Sequence, residues 1–498
     1  MAFDYSIPFR TNYEAKAIVG WMLCIPVAGV TMLATNMPIV PFLIMMIFAF
    51  VMTITHLPGA WATWRTKKNL EGYPLEFYNP SQLRKTMNSN PGKIWLGTGF
   101  PWTQQHAQLA FEILKVDIRT VLPKHIVEDE DFIGAPWIHG LEMKKNEIDL
   151  YQRLDHSSLM TLIVGTTGSG KTRTFETLIT QAVLRGETVI IIDPKGDRDM
   201  CETARRACRI AGQEDRFLYF HPAFPEDSVR IDPLYNFNQP TEVASRVSEV
   251  IPEGSDSGPF KSFGFMAINN IVQGLLFSDE RPNLVKIRKY LEGGPDHLCV
   301  KALTAYFDHK MPGWDTSIKK DFVNTKNISK KAQMLNDFYY DVVQPEYPNP
   351  DIEGLLTMFN HDREHFGKMI ASTLPVLNTL TSGDVGRMLS PDIHDTEDQR
   401  MMTDTTRIIN MNQVLYMGLD SLSNNTVGAA IGSIFLADLA SVAGARYNYG
   451  VDNHRVNIFV DEAAECLNDK LIQILNKGRG SNLNVYLATQ TLSDFKAK

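Results

Sequence analysis

The stretch that most restricts how this chain can fold is Met160-Thr161-Leu162-Ile163-Val164-Gly165-Thr166-Thr167-Gly168-Ser169-Gly170-Lys171-Thr172. A short apolar run rich in β-branched residues reads as a buried strand. The glycines after it break the run into a tight loop, and Arg173 to Leu184 is compatible with a helix. Strand, G-x-x-x-x-G-K-T and helix in that order form a cradle for a phosphate chain. Gly165, Gly168 and Gly170 let the backbone curl with its N–H groups inward, where the helix dipole also favours negative charge. Thr166, Thr167 and Ser169 belong to the same loop. Lys171 is placed to reach the β and γ phosphates of a nucleotide, and the Thr172 hydroxyl to sit on Mg²⁺.

A chain of 498 residues is too long for one compact core and predicts about three domains. Its 44% apolar and 21% charged residues are those of a folded protein, which excludes a disordered chain. A net charge of -8 gives no whole-chain sign of nucleic-acid affinity, so any DNA contact has to come from a local surface. The cysteines, at 24, 201, 208, 299 and 466, form no C-x-x-C pair and no zinc spacing with histidine. Free, mostly buried thiols in a reducing compartment are expected, with no structural metal.

Between Lys16 and Arg65 there is no Asp, Glu, Lys or Arg. As one helix those roughly 48 residues would run about 70 Å, over twice the ~30 Å hydrocarbon thickness of a bilayer, so the run must cross twice. The break is Thr35-Asn36-Met37-Pro38, leaving Ala17 to Ala34 and Pro38 to about Ile54 as spans. Arg10 and Lys16 precede the pair, Arg65, Lys67 and Lys68 follow it, and no basic residue lies in the turn. The positive-inside rule therefore predicts that both ends face the cytoplasm, with Trp61 and Trp64 in an interfacial belt.

From Lys67 to about Ser158 the composition is mixed, and strands are expected around Ile94 to Leu96 and Ile138 to Leu141. Thr188 to Asp193 is a continuous apolar run ending in Asp193-Pro194-Lys195-Gly196-Asp197. That suits a central parallel strand whose carboxyl end lies where ligands bind. Asp193 and Lys195 are thus second candidates for the site, or else the solvated charges of a turn. Between about Asn236 and Leu380 the strand pattern stops. Thr241 to Val250, Ser262 to Leu276, Leu284 to Leu291 and Ile318 to Val342 read as helices of an inserted all-α domain. Lys319, Lys320, Lys326, Lys330 and Lys331 are read as solvated helix faces. The sheet returns near Gln413 to Leu419, followed by a long apolar helix from Thr426 to Ala443.

Val456 to Val460 is a second buried strand, and it ends in Asp461-Glu462. Downstream of a phosphate loop, the first carboxylate is expected to hold the Mg²⁺ shell and the second to polarise the attacking water. Asn484 to Thr489 is the neighbouring strand, with Gln490 at its tip to sense the γ-phosphate or orient water. For Arg479, in Lys477-Gly478-Arg479-Gly480, two readings stay open. It acts across a subunit boundary on a neighbour's ATP, or it is a structural or DNA-facing arginine. Guanine reading usually needs N-K-x-D, but Asn476-Lys477 is followed by Gly-Arg, so ATP is the expected nucleotide.

The order of these features resembles a known family. A two-span amino-terminal hairpin, G-T-T-G-S-G-K-T, I-I-I-D-P-K-G-D, a helical insertion opening with Ile231-Asp232-Pro233-Leu234, V-D-E-A-A-E and G-R-G-S-N-L-N-V-Y-L-A-T-Q together resemble the conjugative coupling proteins of type IV secretion. Within them the similarity is closest to the TraD proteins of SXT-type integrative conjugative elements. The resemblance implies a multi-pass inner-membrane ATPase, using ATP and Mg²⁺ and hexameric when active, with a RecA-like motor domain in the cytoplasm. It implies that the partners are the relaxase-bound DNA strand, the relaxase, the secretion-channel proteins and the lipid bilayer. It places Lys171 and Thr172 in the phosphate loop, Asp461 and Glu462 in the acidic strand and Gln490 in the following motif. The domains expected are a transmembrane hairpin over 1–60, the first part of the nucleotide-binding domain over 61–235, the all-α insertion over 236–380 and the second part over 381–498. Relatives continue beyond the position of Lys498, so the last part is expected to be truncated, which bears on activity. A double-stranded DNA translocase of chromosome segregation and a non-catalytic receptor at the secretion channel are the alternatives.

Overall fold

In the computed structural model, residues 8–72, 78–117, 121–122, 137–142, 147–251, 258–316, 322, 324–450 and 454–496 are described. Contacts divide the chain into two units. One comprises Met1–Leu83, Trp95–Tyr151 and Gly168–Gly170, the other Arg84–Ile94, Gln152–Thr167 and Lys171–Lys498.

The first unit begins with two antiparallel helices, Tyr13–Ala34 and Ile39–Asn69, broken at Thr35 to Pro38. Both are long and apolar enough to cross a membrane. Their apolar side chains face outward almost everywhere, and the buried positions are Ala28 in the first helix and Ala49 and Ala60 in the second. Small residues at the contact and large ones outside are how helices pack in lipid, where apolar surface gains nothing by hiding from its solvent. Asn12 caps the first helix, accepting from the Ala15 N–H, and its amide reaches the Ala60 carbonyl at 2.9 Å.

Beyond the hairpin, β1 (Lys93–Gly99) pairs with β2 (Ile148–Arg153), so the strand expected at Ile94 to Leu96 is present. The strand expected at Ile138 to Leu141 is instead a helical turn, Trp137–Gly140. The backbone closes on itself instead of pairing, the Leu141 N–H donating to the Ile138 carbonyl at 3.1 Å, and one helical turn brings Trp137 and Leu141 into one small core with Leu70 and Ile113. Gly140 also lies so close to the second helix that a Cβ there would meet the Asn69 carbonyl oxygen at 2.0 Å.

The second unit is built on six parallel strands: β3 (Thr161–Val164), β4 (Thr188–Asp193), β5 (Phe217–Phe220), β8 (Val414–Gly418), β9 (Val456–Val460) and β10 (Leu483–Thr489). Their spatial order is β3-β10-β9-β4-β8-β5. The short pair β6 (Arg230–Ile231) and β7 (Met402–Thr403) stands apart. Alternation along β4 shows why both faces are covered. Val189 and Ile191 pack with Phe175, Ile179 and Val183 of the helix Lys171–Leu184 and with Met200 and Ala204 of Arg198–Ala211. Ile190 and Ile192 belong to the opposite core, with Ile431, Phe435 and Leu439 of the helix Asn425–Tyr449. A strand buried on both faces reads as an unbroken apolar run. This is a RecA-like P-loop α/β fold, with β10 between the phosphate-loop strand and the acidic strand. The helix Asn425–Tyr449 is also long and apolar enough for a bilayer, but 72% of its apolar window is buried within the protein.

Between β6 and β7 the described residues form helices, from Pro240–Ser248 and Gly258–Phe277 to Thr373–Thr381 and Gly383–Leu389. They include Asp296–Lys310, whose Leu298, Cys299, Ala302, Leu303, Tyr306 and Phe307 form one buried stripe against the helical core. Lys319 and Lys320 lie outside the described residues. Lys326 and Lys330 are exposed, and Lys331 lies over the Phe322 ring, 4.9 Å from its centroid.

One buried ion pair ties the first of these helices to the sheet's long helix. Arg246 meets Asp438 at 2.7 Å, with side-chain exposures of 3% and 0%. Arg246 also donates to the Pro233 carbonyl and to Ser441 Oγ, and the Thr405 hydroxyl donates to Asp438. Burial pushes the Asp438 carboxyl up to about 6 against the pull of Arg246. Removing one partner of such a pair strands the other, whereas replacing both by apolar groups is often nearly neutral. Asp438→Ala is therefore expected to cost about 3–5 kcal/mol and Arg246→Met with Asp438→Leu far less, as measured by denaturant unfolding of the detergent-solubilised protein.

Candidate functional site at the carboxyl ends of the strands

Four of the parallel strands lead into the residues singled out by the sequence. The register aligns them: Ile192 of β4 pairs with Val460 of β9, Val460 with Leu487 of β10, and Thr489 with Val164 of β3. The segments after β3, β4, β9 and β10 therefore emerge on one edge of the sheet, where α/β proteins bind ligands.

After β3 the backbone begins to turn. Gly165 continues the ladder, its N–H donating to the Thr489 carbonyl at 3.1 Å. Gly168 (φ +80°) and Gly170 (φ +92°) take left-handed conformations that L side chains rarely adopt. Thr166, Thr167 and Ser169 are exposed. Lys171 opens the following helix, with Thr172 beside it in its first turn, and its Nζ donates to the Gly165 carbonyl at 2.6 Å.

At the end of β9, Asp461 and Glu462 lie in different environments. Asp461 is 7% exposed and its N–H donates to the Ile192 carbonyl at 3.0 Å. Burial pushes its carboxyl up to about 6, and the negative charges of Asp193 and Glu462 act in the same direction. Glu462 holds a left-handed backbone, φ +41°, the kind of strained conformation that clusters at functional sites. Lys195 Nζ lies 2.5 Å from its Oε1, and Gln490 Nε2 donates to the same oxygen at 3.2 Å. Burial alone would raise this carboxyl, but the bonds from Lys195 and Gln490, with the charges of Lys195 and Lys171, hold it below the ordinary value. Lys195 moves the opposite way: burial disfavours its charge, yet the bond to Glu462 and the charges of Glu462 and Asp461 raise it.

Asp193 and Lys195 thus do more than end a strand. Asp193 is fully buried and its carboxylate accepts the backbone N–H groups of Lys195, Gly196 and Asp197 at 3.0, 3.1 and 2.5 Å. Tyr416 of β8 donates its hydroxyl to the same carboxylate at 2.7 Å. Gly196 takes φ +77°, and a Cβ there would lie 2.8 Å from His221 Nε2. The loop carrying Lys195 is held by Asp193 and Tyr416 and lies close against His221. Sequence reading passed over Tyr416 and His221. A hydroxyl inside a wholly buried strand was the available signal, since a buried tyrosine needs a partner.

The structure therefore brings the charges of Lys171, Lys195, Asp461 and Glu462 together with Gln490. It does not bring Arg479 there. Arg479 lies in the turn Gly478–Ser481, before β10 begins, about 20 Å along the strand from Gln490 at ~3.3 Å per residue. It lines a cavity of about 670 Å³ with Tyr447 and Lys477.

The donor set suits magnesium. A threonine hydroxyl and a carboxylate are hard oxygen ligands, and Mg²⁺ is typically held by one or two carboxylates plus substrate phosphates rather than by a protein cage.

Residues 154–305 match the family model of an AAA-like domain. Among solved structures, the chain is similar to an unbound form of the bacterial conjugative coupling protein TrwB at 15% identity and a TM-score of 0.37, covering 69% of this chain and 65% of that one. It is similar to plasmid coupling protein TrwB in complex with ADP and Mg²⁺ at 15% identity and a TM-score of 0.36, covering 69% and 66%. It is also similar to VirB4 of Thermoanaerobacter pseudethanolicus at 15% identity and a TM-score of 0.29, covering 68% and 71%. The chain thus spans slightly less than two thirds of the length of the TrwB structures it matches. No curated protein gives a significant match.

Tyr416→Phe removes one donor from a buried carboxylate. It is expected to lower stability by about 1–3 kcal/mol, read as a fall in the thermal unfolding midpoint of the nucleotide-free protein, with Tyr416→Leu at least as damaging.

Proposed function

We propose that the protein is a membrane-anchored P-loop ATPase that drives DNA through a type IV secretion channel in conjugative transfer. The observation that carries the nucleotide part of this reading is the meeting of Lys171, Asp461, Glu462 and Gln490 at one edge of a parallel sheet. The AAA-like match over the segment that contains the phosphate loop supports it. The conjugative part rests on the combination of motifs and the apolar hairpin in one chain.

In this reading the loop Gly165 to Thr172 cradles the phosphates through backbone N–H groups. Lys171 leaves the Gly165 carbonyl for the β and γ phosphates. Thr172 and Asp461 hold Mg²⁺, which when bound offsets the charge of the phosphate oxygens. Glu462 takes a proton from the attacking water, and Gln490, already hydrogen-bonded to Glu462, orients that water. Arg479, far from Lys171 in its own chain, is assigned to the nucleotide of a neighbouring subunit in a hexamer.

The hairpin anchors the protein in the bacterial inner membrane with both termini in the cytoplasm, in accord with Arg10 and Lys16 before it and Arg65, Lys67 and Lys68 after it. The DNA is the relaxase-bound single strand, held chiefly through its phosphates and so with little sequence preference. The domains are the hairpin over 1–60, the nucleotide-binding parts over 61–235 and 381–498, and the all-α insertion over 236–380.

Two substitutions test the site. Lys171→Ala is expected to abolish detectable binding of a fluorescent ATP analogue. Glu462→Gln is expected to bind it normally while losing about 10²-fold or more in kcat, the usual contribution of a positioned base. Normal hydrolysis by Lys171→Ala would refute the proposal.

A further inference from the structure

The first unit carries an apolar surface beside the hairpin. Its helix Gln104–Leu114 packs Leu109, Ala110 and Ile113 into a small core with Phe9 and Leu70. Those two residues flank the hairpin, Phe9 just ahead of its first helix and Leu70 at the end of its second. The helix is fixed there. Thr103 and His106 form a capping box at its start, and His106 Nε2 lies 3.2 Å from Glu142. Yet its outer side is apolar as well: Phe111 is 56% exposed, Leu114 73%, and Trp102, just before the helix, 53%. A helix apolar on both sides calls for a second cover.

With the hairpin in a membrane, what lies at that level is lipid. From Trp64 to Leu70 the second helix advances about 9 Å at 1.5 Å per residue. The interfacial layer is roughly 5–7 Å deep on each side of the hydrocarbon, and a helix with its side chains is about 10–12 Å across. A helix packed on Leu70 therefore has a flank at the headgroups. The patch also repeats the chemistry of the tryptophans on the second span. Lys115 stands over the Phe111 ring, 4.1 Å from its centroid, as Arg65 stands over Trp61 and Lys68 over Trp64. Such a pair suits the headgroup region, where the ring meets acyl chains and the cation meets lipid phosphate. We propose that Trp102, Phe111 and Leu114 sit in the cytoplasmic headgroup layer, so that the helix Gln104–Leu114 is a third, interfacial contact of the protein with the bilayer. This inference rests on the hairpin crossing the membrane. Two spans alone leave their tilt to packing and interfacial anchors, and a helix lying on the surface supplies such an anchor.

The test is photocrosslinking of the full chain in vesicles of phosphatidylethanolamine and phosphatidylglycerol that carry an alkyne-tagged acyl chain. Benzoylphenylalanine replaces Phe111, Leu114, Phe50 or Gln105, one at a time. Phe50, exposed on the second span, reports whether the hairpin is in lipid. Gln105 is exposed on the side of the same helix opposite Leu114. Lipid adducts at 111 and 114 are expected within about threefold of the yield at 50, since all three face the bilayer, with the adduct lost at 105. In a second measurement, brominated lipid should quench less tryptophan emission in Trp102→Phe than in wild type. Lipid adducts at 50 but not at 111 and 114 would overturn the interfacial contact and leave the anchor standing. Chain-to-chain adducts at 111 and 114 in place of lipid adducts would overturn it by showing that a second copy covers the patch. Adducts at 105 equal to those at 114, or unchanged quenching in Trp102→Phe, would also overturn it. Absence of a lipid adduct at 50 would refute the hairpin anchor itself, and the interfacial contact with it.

Discussion

The parallel pairing of β3, β10, β9 and β4 is the constraint on which the rest depends. Because the strands run the same way and in register, the residues that follow Val164, Asp193, Val460 and Thr489 emerge together, although they lie up to 325 positions apart. Parallel ladders demand cover on both faces, and the chain supplies it from the helices Lys171–Leu184 and Arg198–Ala211 on one side and Asn425–Tyr449 on the other. Burial of the β4 and β9 strands then fixes the fate of the polar residues at their tips. Asp193 and Asp461 are held out of water, where each must find a partner.

Those partners are unevenly distributed, and the asymmetry gives the site its character. Asp193 is saturated by three backbone N–H groups and Tyr416 and serves the loop. Asp461, a strand away, keeps a carboxyl pushed up by burial and by its acidic neighbours, which is the environment a divalent cation would relieve. Glu462 is drawn the other way by two amine-bearing neighbours. Adjacent carboxylates in opposite electrostatic surroundings suit two different tasks. Farther off, the Arg246–Asp438 pair links the helical segment to the long helix under the sheet.

Much of this was legible in the sequence for a simple physical reason. β4, β9 and β10 are continuous apolar runs, and the phosphate loop is a run of glycines that only a turn requires. Lys171, Asp461, Glu462 and Gln490 could be named because each sits just past such a strand. The turn at Trp137 was misread as a strand because four residues are too few to separate a period of two from one of 3.6. The helix Asp296–Lys310 was passed over although Leu298, Ala302 and Tyr306, with Cys299, Leu303 and Phe307, repeat at helical spacing on its buried face. The bond from Lys195 to Glu462 joins residues 267 apart, and only the strand order, which puts β4 beside β9 rather than beside β3, reveals it. The remoteness of Arg479 follows from the direction of β10, which carries it to the opposite edge.

The most direct test of the central claim is a structure of the full chain with Mg²⁺ and a non-hydrolysable ATP analogue. The account predicts the terminal phosphate within hydrogen-bond reach of Lys171 Nζ, with Mg²⁺ held by the Thr172 hydroxyl on the side of Asp461. A nucleotide bound elsewhere, such as the cavity beside Tyr447 and Arg479, with Lys171 still on the Gly165 carbonyl, would contradict it.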